Sequence, residues 1–543
     1  MPTNLMRVGS RAARGRKLVL RAALVLGLLV ARHACTAQTI VPANSLFPAP
    51  TPTPIPIAVE TSQSPLTERE QAMLKLIMQL QERVTKLEAQ ASGAAESSPA
   101  VGAISKAADG SVTHDTAIQP PPVPTSTASP QSEERKGFGS YTPNLGFKLA
   151  DTEYGDLNVS IYTYVRYLNQ LGLDSTYTDA SGNEKSVQRR QDAQLLKLQI
   201  KFLGWILNPK LRYFLYAWTS NANQGQGAQT VLAGNLQYTV NKYVTFGGGI
   251  RSLPGTRSVE GNFPFWPNVD SRMIADEFMR PSYTSGFWAM GNLTKRLKYI
   301  AMVGNNMSTL GVPASRLDNG LNTVSSALIW FPTGNFEDGF SGQGWGDFED
   351  HKEFSTRLGL HFSRSDENKE SQAGSDVFEN TQLRLSDGTV IFTPDLFAPG
   401  VTVTDARWRM TSLDGAFKYR GFSLEGEYYW RWLDNFKFLE RVTSTQLEQV
   451  PPRLFDHGFQ LQGTAMVIPQ TLQAYAGHSR IFGQYGDPWD FRVGTNWFPY
   501  KNKVLRWNTE ALYLHKSPVG YTSVPFAVGG RGWVVHSSLE LAF

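Results

Sequence analysis

The sequence predicts an all-β protein, a transmembrane antiparallel barrel of about sixteen strands. Three observations predict it. The last stretch, Arg531–Phe543 (RGWVVHSSLELAF), puts Trp533, Val535, Ser537, Leu539, Leu541 and Phe543 on one side and His536, Ser538 and Glu540 on the other, because successive strand residues face opposite ways. Many comparable stretches precede it. The connections between them alternate short and long, as where a barrel meets periplasm and exterior. No run of eighteen apolar residues occurs, which excludes a helical membrane protein. A barrel hides its lipid-facing residues among lumen-facing ones, so 41% hydrophobic residues and a mean hydropathy of −0.29 fit it.

The chain begins with a leader. Residues 1–37 hold seven basic residues and no acids, a short apolar core at Ala22–Ala31, and small residues before Gln38. This is the pattern of a secretory signal peptide, and export by that route with a barrel to follow leads to the expectation of the bacterial outer membrane. Removing it takes the formal charge from +5 to −2 and removes Cys35, the single cysteine. The apparent basicity is therefore no argument for nucleic-acid binding, no such partner is expected, and disulfides and thiol chemistry are ruled out for the mature chain. Cys35 leaves a lipoprotein alternative, against which Arg32 and His33 speak.

Residues 38–64 are a Pro-rich spacer (FPAPTPTPIPI). Residues 65–92 form a coiled-coil helix: Pro65 follows the N-cap Ser64, and Leu66, Met73, Leu80 and Leu87 recur every seven residues, with Glu70, Ile77 and Val84 between them. Residues 93–153 are a low-complexity linker, with PPPVP at 120–124. The barrel occupies 154–543.

Its strands fall near 157–168, 194–204, 211–219, 229–240, 243–251, 286–293, 297–305, 323–331, 354–364, 405–419, 422–432, 457–468, 471–480, 489–498, 503–514 and 532–543. A hairpin hidden in 365–404 would make eighteen. Short turns lie at Asn241-Lys242, Thr294–Arg296, Arg420-Gly421, Pro469-Gln470 and Pro499–Asn502, and the connection 332–353 is long for that end. Ser252–Ser285 is a long loop rich in proline and aromatics (LPG, NFPFWPN). Such a loop is functional or disordered, and its composition argues for a folded loop that narrows the lumen. An external lid is the alternative.

Several stretches resemble the phosphate-selective porin O and P family of bacterial outer membranes. They are FGGGIRSLPG, RMIADEFMRP and TSGFWAMGNL between Phe246 and Leu293, IWFPTGNF and GWGDFEDHKEFSTRLGLHFS across 329–363, SLDGAFKYRGFSLEGEYYWR at 412–431, and FRVGTNWFPYKNKVLRWNTEALYL at 491–514. The resemblance covers Tyr141–Phe543. It implies a homotrimer in outer-membrane lipid, each barrel with its own pore for small hydrophilic solutes or anions such as phosphate.

Anion preference requires a surplus of cations along the lumen. The polar strand faces place Arg166, Lys197, Lys201, Arg212, Arg357, Arg431, Arg492 and Arg506 there, against Glu425, Glu427, Glu510 and Glu540. Arg407 and Arg409 join them only if a bulge near Thr411 shifts the register. The constriction loop carries Arg257, Arg272 and Arg280 against Glu260, Asp270, Asp276 and Glu277. No cofactor is expected, and no enzyme. The only tempting pair, His478-Ser479, lies on opposite faces of one strand, and no Gly-x-Ser-x-Gly or His-Glu-x-x-His motif occurs. Two alternatives stand beside the channel: a barrel-anchored tether to the cell wall, and an outer-membrane barrel enzyme.

Overall fold

Alternation of apolar and polar residues sets up staves with one face toward lipid and one toward a lumen, and the structure joins these staves into a closed ring. This computed structural model describes residues 138–142, 145–219, 230–260, 266–309, 312, 314–317, 320–336, 344–372, 383–439, 442–521 and 523–543. They belong to one compact unit, Ala117–Phe543; the other unit, Met1–Thr116, lies outside them. So do the expected leader, spacer and coiled coil.

Two short strands, β1 (Tyr141–Thr142) and β2 (Gly146–Thr152), come first. Ordered strands thus start within the segment read as linker. The first stave is β3 (Gly155–Leu173). A small hairpin, β4 (Thr176–Thr178) and β5 (Glu184–Ser186), sits in its outer loop. Then follow β6 (Gln191–Ile206), β7 (Asn208–Thr219), β8 (Thr230–Asn241), β9 (Val244–Ser252), β10 (Tyr283–Asn292), β11 (Leu297–Gly304), β12 (Thr323–Trp330) and β13 (Ser355–Asn368). The ring continues with β14 (Val403–Tyr419), β15 (Phe422–Phe438), β16 (Arg453–Ile468), β17 (Leu472–Phe482), β18 (Trp489–Trp497), β19 (Leu505–His515) and β20 (Arg531–Ala542). Each stave pairs antiparallel with the next, and β20 pairs back onto β3. The closed ring has sixteen staves, with β1 and β2 as additional strands. Among the described residues of 365–404, no hairpin adds to the ring.

β20 does not reach the foot of β3. Their register runs from Gly532↔Leu173 to Ala542↔Tyr162, and below that β2 takes over, with Phe147↔Val159 through Thr152↔Gly155. The ring of Phe147 meets that of Phe543 at 5.7 Å, so β2 covers the strand edge left open there. The turns at this end are tight. Arg420 (φ 48°) and Gly421 (φ 82°) both take the left-handed conformation of a two-residue hairpin matched to strand twist.

The outer face is apolar and exposed: Leu232, Phe246, Phe287, Leu360, Leu413 and Phe422 are each more than half exposed or close to it. Such a belt around the whole molecule is far larger than soluble proteins tolerate; it is lipid-facing surface. The closing strand follows its alternation, with Trp533, Val535 and Leu539 exposed and His536, Ser538 and Glu540 buried inside.

Candidate functional site

The segment between β9 and β10 lies in the lumen. Its described residues, 253–259 and 266–282, are buried and form a strap containing α1 (Arg257–Glu260) and α2 (Ile274–Met279). Irregular backbone in a buried setting must find donors for its carbonyls, and the wall supplies them. His361 donates to Pro254 O (3.0 Å), Ser412 Oγ to Gly255 O (3.2 Å) and Asn496 Nδ2 to Pro267 O (2.6 Å). Three arginines do more. Arg506 pairs with Glu540 and donates to the carbonyls of Trp266 (2.8 Å) and Pro267 (3.1 Å). Arg492 pairs with Asp490 and donates to Arg272 O (2.9 Å); Arg431 pairs with Asp456 and donates to Phe278 O (3.4 Å). A guanidinium fork has donors enough for both tasks.

This arrangement assigns most of the expected pore cations. Arg431, Arg492 and Arg506 fasten the strap. Arg357 is held by Asp414 (2.8 Å), and Arg166 donates to Ser523 O (2.9 Å) in the loop before β20. Lys197 grips Asp270 of the strap (2.9 Å), which also accepts from Tyr164 (2.6 Å). Of the strap's own arginines, Arg257 pairs with Glu425 on β15 (3.2 Å), while Arg280 and Arg272 flank Glu277 and Arg272 approaches Asp276 (3.9 Å). Asp270, Asp276 and Glu277 of the strap are therefore each set against a cation.

Arg407 and Arg409 lie elsewhere. The register shifts in β14 fall between Val403 and Arg407, and pairing is unbroken from Arg407 to Tyr419. Both arginines therefore share the outer face with Thr411 and Leu413, and pair there with Asp366 (2.7 Å) and Asp434. The bulge exists, but it precedes both residues and cannot turn them inward.

Lys201 and Arg212 remain, half-exposed inside the barrel. They belong to a wall of one sign. From Lys197 on β6 round to the end of β12, the lumen-facing strand residues include Lys197, Lys201, Arg212, Arg251 and Lys298 and no carboxylate. Lys201 forms no ion pair among the described residues. Arg251 lies over Trp288 (5.5 Å to the ring centre). The opposite wall, β13–β20, buries Asp414, Glu425, Glu427, Asp456, Asp490, Glu510 and Glu540 among its cations. The lumen thus has an open basic half and a filled, ion-paired half. Arg251 and Lys298 were missed in sequence because glycines and short strands blur the alternation around them.

Further segments pack against the filled half at both ends. At the outer end, residues 383–403, 517–521 and 523–527 pack on α2 through Leu383, Leu385, Ile391, Phe392, Val524 and Phe526. At the short-turn end the segment between β12 and β13 folds inward. Trp345 stacks on Arg257 (5.3 Å), Gly346 N donates to Glu425 (3.0 Å), Gly421 N donates to Asp347 (2.7 Å), and Phe348 meets Phe498 (5.0 Å). Burial alone would raise the Asp347 pKa; the His351 ring and amide and the Gly421 amide outweigh it and hold the carboxyl below its ordinary range. Asp347, Glu349 and His351 are the one group of described residues whose ligand atoms converge as a metal site would, within 4.8 Å. The amides on Asp347 make it a turn cap. His478 and Ser479 face opposite ways, His478 toward the Asp490 carbonyl (2.8 Å) and Ser479 toward the Asp490 carboxylate and Ala275 N.

No family model matches this sequence, and no curated protein matches it. Solved structures with similar architecture include OmpT of Vibrio cholerae (11% identity, 73% of this chain and 99% of that one, TM-score 0.44) and an anion-selective porin from Comamonas acidovorans (11%, 72% and 100%, 0.42). The outer-membrane channel DcaP of Acinetobacter baumannii is another (8%, 73% and 99%, 0.44). The closed strand ring itself, not these likenesses, establishes the fold.

Proposed function

We propose that this protein is an outer-membrane porin through which small hydrophilic solutes diffuse passively and anions pass preferentially. The observation that carries the reading is the one-signed wall: Lys201, Arg212, Arg251 and Lys298 face open lumen with no strand carboxylate from Lys197 to the end of β12. Focused between low-dielectric walls, such a row concentrates anions and repels cations. Phosphate is one anion of this class. Residues 1–37 serve as the export signal, and 65–92 as a coiled coil that supports a homotrimer.

The test is conductance of the refolded protein in a planar bilayer under a salt gradient. A reversal potential on the anion side supports the reading, and a cation-side potential overturns the selectivity. An absence of channels overturns the porin. A chain lacking 38–137 conducts if the protein is a porin, whereas a cell-wall tether loses its role with that segment.

A further inference from the structure

The outer face of β16–β20 reads row by row across the sheet. At the long-loop rim the register Phe459↔Arg480↔Trp489↔His515↔Arg531 crosses five staves. The next outward row is Leu461, His478, Phe491, Tyr513 and Trp533; the next is Gly463, Ala476, Val493, Ala511 and Val535; then Ala465, Ala474, Thr495, Thr509 and Ser537. Trp497 and Trp507 close the series at the short-turn end. Trp489 and Trp497 stand eight residues apart in sequence, roughly 27 Å along the strand and about 20 Å along the axis at the usual tilt. That matches a hydrocarbon band between two aromatic girdles. The upper girdle is continuous: Trp489 stacks on His515 (5.5 Å) and Tyr513 (5.3 Å), and Tyr513 meets Trp533 (5.3 Å).

The cations at the top row differ from four other outward cations, at the ends of β13–β15. Arg364 and Arg407 are held by Asp366 (3.2 and 2.7 Å), Lys437 by Asp405 (3.1 Å), and Arg409 by Asp434. On the row, Arg480 has only Asp487 at 3.9 Å, itself exposed. Arg531 and its neighbour Lys516 are exposed and form no ion pair among the described residues. Two unpaired cations and one loosely paired arginine thus stand over an aromatic girdle, with a shallow surface of Gly, Ala and Val beneath.

We infer that this face seats an amphiphile with a multiply phosphorylated head and several acyl chains, the phosphorylated disaccharide lipid of the outer leaflet. Arg480, Arg531 and Lys516 take the phosphates, the ring row lies at the head–chain boundary, and the small-residue rows admit the chains. The inference rests on the outer-membrane placement proposed above.

The experiment is native mass spectrometry of the detergent-solubilised full chain, titrated with bisphosphorylated lipid A, its monophosphorylated form and phosphatidylglycerol. The Arg480→Gln/Arg531→Gln double variant is compared with wild type and with Arg409→Gln, a paired outward cation off the row. Wild type is expected to prefer bisphosphorylated lipid A. The double variant is expected to lose about thirtyfold in apparent affinity, at about one kilocalorie per cation near an anionic surface, while Arg409→Gln changes little. Unchanged affinity in the double variant, an equal loss in Arg409→Gln, or equal binding of phosphatidylglycerol by wild type overturns the inference. So does a change in oligomeric state without a change in lipid binding, which would make this face a contact with a second copy. Heat-modifiable migration on gels checks that each variant is folded. Channels that conduct normally but bind no lipid A sink this inference and leave the porin reading standing, whereas failure to conduct strikes the porin reading.

Discussion

Arg506 holds Glu540 through Nε (2.9 Å) and Nη2 (2.6 Å), and its third nitrogen, Nη1, reaches the carbonyl oxygen of Trp266 at 2.8 Å. One side chain thus ties β19 to β20 and ties both to the strap that fills half the lumen. Its donors are spent on the protein rather than on a solute.

Arg506→Ala is therefore expected to destabilise the barrel by about 3–5 kcal/mol, since it leaves Glu540 buried and uncompensated. It also frees the strap near Trp266. The heat-modifiability temperature should fall and single-channel conductance should rise, with anion preference largely kept. A conductance unchanged in a folded variant would contradict the fastening role.

Lys201→Glu places a carboxylate on the wall that has none. The reversal potential should move toward cations by a clear margin, and Arg212→Glu should act the same way. Arg407→Glu, on the outer face beside Asp366, should leave it where it is. Equal effects from Lys201 and Arg407 would dissociate selectivity from the basic wall.

Gly346 takes φ +84°, and a Cβ there would stand 2.7 Å from Gln473 Nε2. Gly346→Leu combines that crowding with backbone strain of about 1–3 kcal/mol, and should unseat the segment that carries Trp345 and Phe348. Conductance should increase and become noisier. Burial of Trp345 should be lost, as its fluorescence would register.

The outer hairpin β4–β5 has a pH-dependent anchor. Partial burial would raise the pKa of Asp179, but the Lys185 ammonium (2.7 Å) and the Asn183 N–H groups outweigh it and bring it down to about 2. A pKa lowered on folding stabilises above the unfolded value and is lost as pH falls through the folded one. The hairpin should therefore hold at pH 4 and open only near pH 2. The Asp179 carboxyl carbon shift, assigned by its absence in Asp179→Asn, should titrate near 2; a midpoint near 4 would show that Lys185 does not grip it.

Alternation alone determined the staves. Leu358, Leu360 and Phe362 against Arg357, Gly359 and His361, or Trp533 and Val535 against His536 and Ser538, can satisfy lipid and lumen in only one way. Strand number and tight turns such as Arg420-Gly421 followed from that pattern, as did a strap at Ser252–Ser285, whose prolines and aromatics signal a packed segment. The sequence also marked Lys201 and Arg212 as inward cations. What it could not carry was the counterion of each charge. Arg506 and Lys201 look alike as inward cations, yet one is bound to Glu540 and the strap carbonyls while the other faces open lumen. Those partners lie on the next stave, 34 residues on, or on the backbone of an irregular loop 240 residues back, where no periodicity announces them. Tertiary structure alone decided which half of the lumen is filled and which wall carries a single sign. It also kept Arg407 and Arg409 on the outer face, because pairing runs unbroken from Arg407 to Tyr419 and no bulge occurs near Thr411. Face alternation is a local property of two bonds per residue; compensation of buried charge is a property of the closed barrel.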